Sequence, residues 1–211
     1  MSEQLIDREL LDSVGDNWMI CTDNDGVSYG GFAWQPVGQW TECPIWSDKT
    51  KADCVSGGLF GQGPGGYGYA KEGARFKFCE TGPERISVGG DKIKVRRAKI
   101  LYTDQAAYDA LVYICRGRFQ GSLYIGADCK LDALTSVGGY LDIGADCKLD
   151  ALTSVGGDLD IRADCKLDAL TSVGGDLYIG ADCKLDALTS VGGSLYIGAD
   201  CKLDAPNLKR G

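Results

Sequence analysis

The chain has 211 residues, 44% apolar and 25% charged, with 31 Gly, a net charge of −8 and no His. These fractions exclude a disordered chain and allow one or two domains with a real core. The absence of His removes a His general base, Ser–His and Cys–His nucleophile pairs and His-bearing metal sites, and the acidic balance argues against broad nucleic-acid binding.

The opening MSEQLIDREL is acidic where an export signal is basic and then apolar. With no run of about 18 apolar residues, no membrane span is expected. Ten cysteines without a CxxC pair fit a reducing cytoplasm. Leu5, Ile6, Leu10 and Leu11 predict a short helix ending near Gly15. Strand-like runs follow: WMICT, VSYGGFAW, WTECPIW, RFKFCE and KIKVRRAKILY, with a hairpin signal at Asn24-Asp25-Gly26. Residues 1–120 read as a small α+β domain, with 16 acidic and 14 basic residues and all four Trp.

Four features of this half invite a functional reading. Gly61, Gly63 and Gly66 form a G-x-G-x-x-G, but Pro64 and the following Gly-Tyr-Gly-Tyr leave no helix to receive a dinucleotide, so a surface loop is expected. Lys92, Lys94, Arg96, Arg97 and Lys99 alternate with Ile93 and Val95 and read as the solvated face of a strand. Together, Gly61, Gly63, Gly66, Lys94, Arg96 and Arg97 are the candidate anion site, as for a nucleotide held by an enzymatic or ligand-binding domain. Asp23-Asn24-Asp25-Gly26 resembles half a calcium loop without its later ligands. Trp34, Trp40 and Trp46 suit a core cluster better than a sugar platform, and Glu72, Glu80 and Glu84 show no readable acid–base spacing. Asp104 is placed to N-cap a helix over about 104–118, with Ala107, Tyr108, Leu111, Ile114 and Cys115 at helical spacing, expected to plug the solenoid that follows.

From Ser122 the chain repeats with a period of 18 residues: SLYIGADCKLDALTSVGG and four further copies, the last ending in APNLKRG. The first four copies differ only at their first, third and fifth phases. Leu141, Ile143, Ala145, Cys147 and Leu149 alternate with polar or small residues, a strand signal, and Gly156-Gly157 supplies a corner. Eighteen residues cannot hold a strand and a full helix but suit one turn of a parallel β-solenoid; a compact leucine-rich horseshoe is the alternative. The expected fold is therefore mostly β: an α+β domain over 1–120, then a β-solenoid of five coils over 121–211.

Stacking turns each phase into a column. Cys129, Cys147, Cys165, Cys183 and Cys201 read as buried, reduced thiols, with metal or disulfide as alternatives. Asp146, Lys148 and Asp150 point outward as Asp, Lys and Asp columns that neutralise one another or form an acidic strip imitating DNA phosphates. Residues 121–211 hold 14 acidic and 8 basic residues, a net −6. The Thr column suits a strand edge. The varied phases hold Tyr124, Tyr140, Asp142, Asp158, Asp160, Arg162, Asp176, Tyr178 and Tyr196, which alternate with buried Leu and Ile. Diversity confined to one face and rich in Tyr, Asp and Arg marks these nine as candidate partner-binding residues. Pro206-Asn207 suits a terminal cap, and an uncovered coil end could pair two chains.

The L-T-S-V-G-G-x-L-x-I unit resembles the repeats of receptor-L-type and leucine-rich-like β-solenoid proteins of bacterial surfaces and phages. CVSGGLFG, RFKFCE and DKIKVRRAKILY are similar to the front domain of uncharacterised phage and prophage proteins. The first resemblance implies a fold and the second no site residues or cofactor. Together they imply a non-catalytic binding protein in a bacterial host cytoplasm. It would be an inhibitor of a defence complex, anti-CRISPR-like, that occludes a protein partner and does not bind nucleic acid directly.

Overall fold

The computed structural model describes residues 5–23, 27–28, 32–48, 58–63, 75–88, 92–203 and 209–210. It divides into two compact units, Met1–Ile114 and Cys115–Gly211.

The first unit is a seven-stranded sheet. Its order is Trp40–Glu42, Arg97–Thr103, Arg75–Thr81, Trp18–Asp23, Leu59–Gln62, Lys92–Val95, Arg85–Ser87, and every pairing is antiparallel. Helix α1 (Arg8–Val14) is capped by Asp7, whose Oδ1 accepts the Leu10 N–H at 3.0 Å. Leu5 lies outside the helix and is exposed. Helix α2 (Asp104–Ile114) packs on strands Arg75–Thr81 and Arg97–Thr103, burying Ala107, Ala110 and Leu111 and stacking Tyr108 on Phe76 at 4.1 Å. Asp104 does not act as the expected helix cap. Its carboxylate pairs with Arg75 at 2.9 Å, and its own backbone is left-handed, with φ of 55°. Val27–Ser28 and Phe32–Ala33 pair as a small hairpin; the turn and half calcium loop expected at 24–26 lie outside the described residues.

The second unit is a parallel β-solenoid in which each 18-residue copy makes one coil. Leu123–Ile125 pairs with Leu141–Ile143, then Leu159–Ile161, Leu177–Ile179 and Leu195–Ile197, always in direct register. A second ladder joins the Ser-Val pairs from Ser136–Val137 to Ser190–Val191. The third runs along Lys130, Lys148, Lys166 and Lys184, and is continued by Leu185↔Leu203. Each of the first four coils thus turns inward the Leu and Ile of its first strand, a Cys, two more Leu and a Val, which form one continuous core, while in the fifth Leu195 is half-buried and Ile197 is exposed.

Two details correct the sequence reading. The run from Leu141 to Leu149 is not one alternating strand, because Asp128, Asp146, Asp164, Asp182 and Asp200 sit at φ of 57–61° and turn the chain between the first and third ladders. Asp tolerates this left-handed region because its short polar side chain clashes little with the backbone. The Gly-Gly corner is also not a positive-φ device. A Cβ on Gly156 would run into the Gly138 carbonyl of the coil before, and Gly174 and Gly192 repeat that contact, so glycine is required by close backbone approach.

The Ser-Val ladder is joined by one strand from before the repeat and one from the divergent part of the fifth copy. Arg118–Phe119 pairs with Ser136–Val137, so buried Phe119 takes the place that Val holds in later rungs. Lys209–Arg210 pairs with Ser190–Val191. The expected Pro206-Asn207 cap lies outside the described residues. Among those residues no helix is long and apolar enough to cross a membrane.

Candidate interaction face

The varied phases stand together on the Leu-x-Ile ladder. Its middle column reads Tyr124, Asp142, Asp160, Tyr178, Tyr196, each in register with the next. Tyr178 and Tyr196 are exposed, at 41% and 54%, and their rings stack at 4.7 Å with planes 3° apart. That spacing equals the roughly 4.7–4.9 Å step between strands, so the coil rise itself sets the stack. Tyr124 and Tyr140 meet in a tilted pair at 5.5 Å. Arg162 is exposed at the edge of the same face.

The first varied phase has a structural task that alternation did not reveal. Ser122 Oγ accepts the N–H of Tyr140 at 2.9 Å, Asp158 Oδ1 that of Asp176 at 2.8 Å, and Asp176 Oδ1 that of Ser194 at 2.7 Å. These oxygens carry the ladder past the Gly-Gly corner. The signal was present in the sequence: at this phase every residue but Tyr140 is Ser or Asp, a short side chain ending in an acceptor. Asp158 and Asp176 therefore combine a charge on the candidate face with a hydrogen bond in the scaffold.

The other columns resolve into scaffold chemistry. Lys166 bridges Asp150 at 3.6 Å and Asp168 at 2.8 Å, and Lys184 bridges Asp168 at 3.1 Å and Asp186 at 2.6 Å. Lys166 and then Lys184 hold the Asp168 carboxyl below its ordinary range. The lysines thus neutralise the Asp column of their own side, while the corner column (Asp128 to Asp200) has no ion pair among the described residues. The column cysteines are free, and each Sγ from Cys147 onward donates to a carbonyl of the preceding coil, as Cys147 does to Gly126 at 3.1 Å. The neighbouring Cys129 thiol, with burial, pushes Cys147 up to about 12, and burial pushes Cys183 up to about 11. Such thiols are inert at neutral pH. Each Thr hydroxyl also points back along the solenoid, Thr153 donating to the Thr135 carbonyl at 2.9 Å. Beside them a shallow groove of about 480 Å³ follows the Ser-Val-Gly ladder.

In the first unit the candidate anion residues are drawn into the sheet. Gly61 lies within strand Leu59–Gln62 and Gly63 follows it, both buried between neighbouring strands instead of in a surface loop; Gly66 lies outside the described residues. Lys94 is fully buried, with Nζ 5.4 Å from the Trp46 ring, which corrects the solvated face expected for the basic run. Gly58 makes that possible, since a side chain there would occupy the space of the Lys94 stem. Arg96 pairs with Glu84 at 3.3 Å, Lys99 with Glu80 at 2.6 Å, and Arg97 lies 4.6 Å over Trp40. Trp34 likewise faces Lys77 at 5.6 Å. The three tryptophans are cation partners, a pairing between distant segments that no local spacing announces.

Comparisons with protein-family models, curated proteins and solved structures returned no match. The likeness to β-solenoid repeats is therefore one of architecture.

Proposed function

We propose that the chain is a non-catalytic binding protein that holds and blocks a macromolecular partner with the Tyr–Asp face of its solenoid. The observation that carries this reading is the placement of variation. In four copies otherwise identical, the changes fall only on the Leu-x-Ile side, and there Tyr178 of the fourth copy stacks on Tyr196 of the fifth, both exposed among carboxylates. Exposed aromatics on a rigid support are the usual anchors of protein recognition. A ladder in strict register adds preorganisation, so little conformational entropy opposes binding.

The partner is a protein with a basic surface, which the acidic solenoid attracts in competition with nucleic acid. On the phage-like resemblance of the first unit, the concrete case is a phage-encoded inhibitor of a bacterial defence complex, acting by occlusion in the host cytoplasm. The test is capture from bacterial lysate by the full chain and by a variant carrying Arg162→Gly, Tyr178→Ser and Tyr196→Ser. Loss of the captured protein with the variant, and release by salt, is expected. Equal capture by both sinks the reading.

A further inference from the structure

We infer that the partner enters this face with an arginine side chain, seated over Asp160 and flat against the ring of Tyr178; this deepens the reading above by giving its partner a chemistry. The middle column runs Tyr124, Asp142, Asp160, Tyr178 in unbroken register. An Asp side chain ends well short of a Tyr ring. The column therefore dips over the two carboxylates and rises at each end, leaving a slot about 14 Å between its aromatic walls, three strand steps of the usual spacing.

The Tyr178 wall is held upright from behind. Its far face is stacked on Tyr196 at 4.7 Å and 3°, so the near face is left toward Asp160. Neither phenol oxygen has a hydrogen bond among the described residues.

Charge selects the ligand. On the Lys side of each coil the solenoid matches carboxylates with its own cations, as Lys166 and Lys184 do for Asp150, Asp168 and Asp186. On this face Asp158, Asp160 and Asp176 have no cation partner among the described residues. Their field reaches the phenol: burial, then Asp176, Tyr196, Asp158 and Asp160, keeps the Tyr178 hydroxyl protonated above its ordinary range. A slot with an aromatic wall and a carboxylate floor suits a planar guanidinium, which stacks on the ring and forks onto the carboxylate. An ammonium ion meets either group only as a point charge, with no flat stack and no fork.

The test titrates the full chain with labelled hexa-arginine, hexa-lysine and hexa-citrulline peptides at one ionic strength. Arginine should bind about fivefold tighter than lysine, a margin of about 1 kcal/mol for the flat stack on the ring, and citrulline should not bind. Tyr178→Leu should erase the margin while leaving lysine binding unchanged. Both Tyr and Asp occupy this phase in different copies, so the fold tolerates the change. Asp160→Asn should weaken both cationic peptides, and Asp146→Asn, an equal loss of charge in a corner, should weaken neither. Equal arginine and lysine affinity, a margin that survives Tyr178→Leu, or matched effects of Asp160→Asn and Asp146→Asn each overturn the inference. Capture of a partner from lysate without arginine selectivity overturns the arginine assignment alone. Arginine selectivity without a captured partner upholds the slot and sinks the blocking role.

Discussion

Asp158 Oδ1 accepts the backbone N–H of Asp176 at 2.8 Å, one coil further along the solenoid. Asp176 passes the same bond to Ser194 at 2.7 Å. At Ser122, Asp158 and Asp176, though not at Tyr140, a position that changed between copies thus kept one property, a side-chain acceptor within reach of the next amide. Asp176→Ala should cost about 1 kcal/mol in urea unfolding, the usual value of a lost hydrogen bond of this kind, and Asp176→Ser should recover most of it, as Ser122 serves Tyr140. An alanine variant as stable as the parent would show that the amide finds water instead.

The Gly column should be far less tolerant. Gly156→Ala places a methyl against the Gly138 carbonyl, and the next coil cannot retreat without breaking its own ladder. We expect a loss of about 1–3 kcal/mol, the range for overpacking, read from the denaturation midpoint.

The thiol column makes stability fall in alkali. Cys147 and Cys183 ordinarily titrate near 9.0 and here lie at about 12 and about 11. The folded state holds these protons more tightly than the unfolded chain. Their contribution is therefore complete below pH 9 and is lost as pH climbs toward 11–12. Thermal melts from pH 8 to 11 should show a falling midpoint, with less of a fall in a Cys147→Ala, Cys183→Ala variant. Alkylation at pH 8 should likewise spare both residues until the protein is unfolded.

Asp168 should respond to its lysines. Lys166 and Lys184 lower its carboxyl, so Lys184→Gln should move its titration up toward the ordinary value, as followed by NMR. Both partners are exposed, and the pair should add little to stability.

Coils should be removable whole. Deleting residues 140–157 joins Gly139 to Asp158 and keeps every column, so the shortened chain should still melt cooperatively with the same strand signature by circular dichroism. Deleting 140–148 removes half a turn, sets apolar phases against solvent and should abolish that transition.

Much of the second unit was legible because an 18-residue period converts sequence identity directly into spatial neighbours, as Leu141 over Leu123 and Cys147 over Cys129 illustrate. The reading faltered where geometry is set by backbone rather than by side-chain polarity. Asp146 looks like one more outward strand residue, yet its φ of 60° makes it a corner. Phe119 is a rung without repeat sequence, placed by the coil above it. In the first unit, Lys94 alternates correctly for a solvated strand, but the missing side chain of Gly58 and the Trp46 ring bury it. Such contacts join segments far apart in the chain, and no local pattern encodes them. Variation among the copies marks the candidate face, while the stack of Tyr178 on Tyr196 and the hydrogen bonds of Asp158 are set by the rise from coil to coil.

Where every earlier rung of its ladder carries Ser-Val or Arg-Phe, the final one carries Lys209-Arg210. Its spacing differs too: Lys209 lies 19 residues after its partner Ser190, where Ser190 lies 18 after Ser172. Near-identical coils can slide one unit past another without losing a match, and a rung one residue out of phase ties that side of the stack to a single alignment.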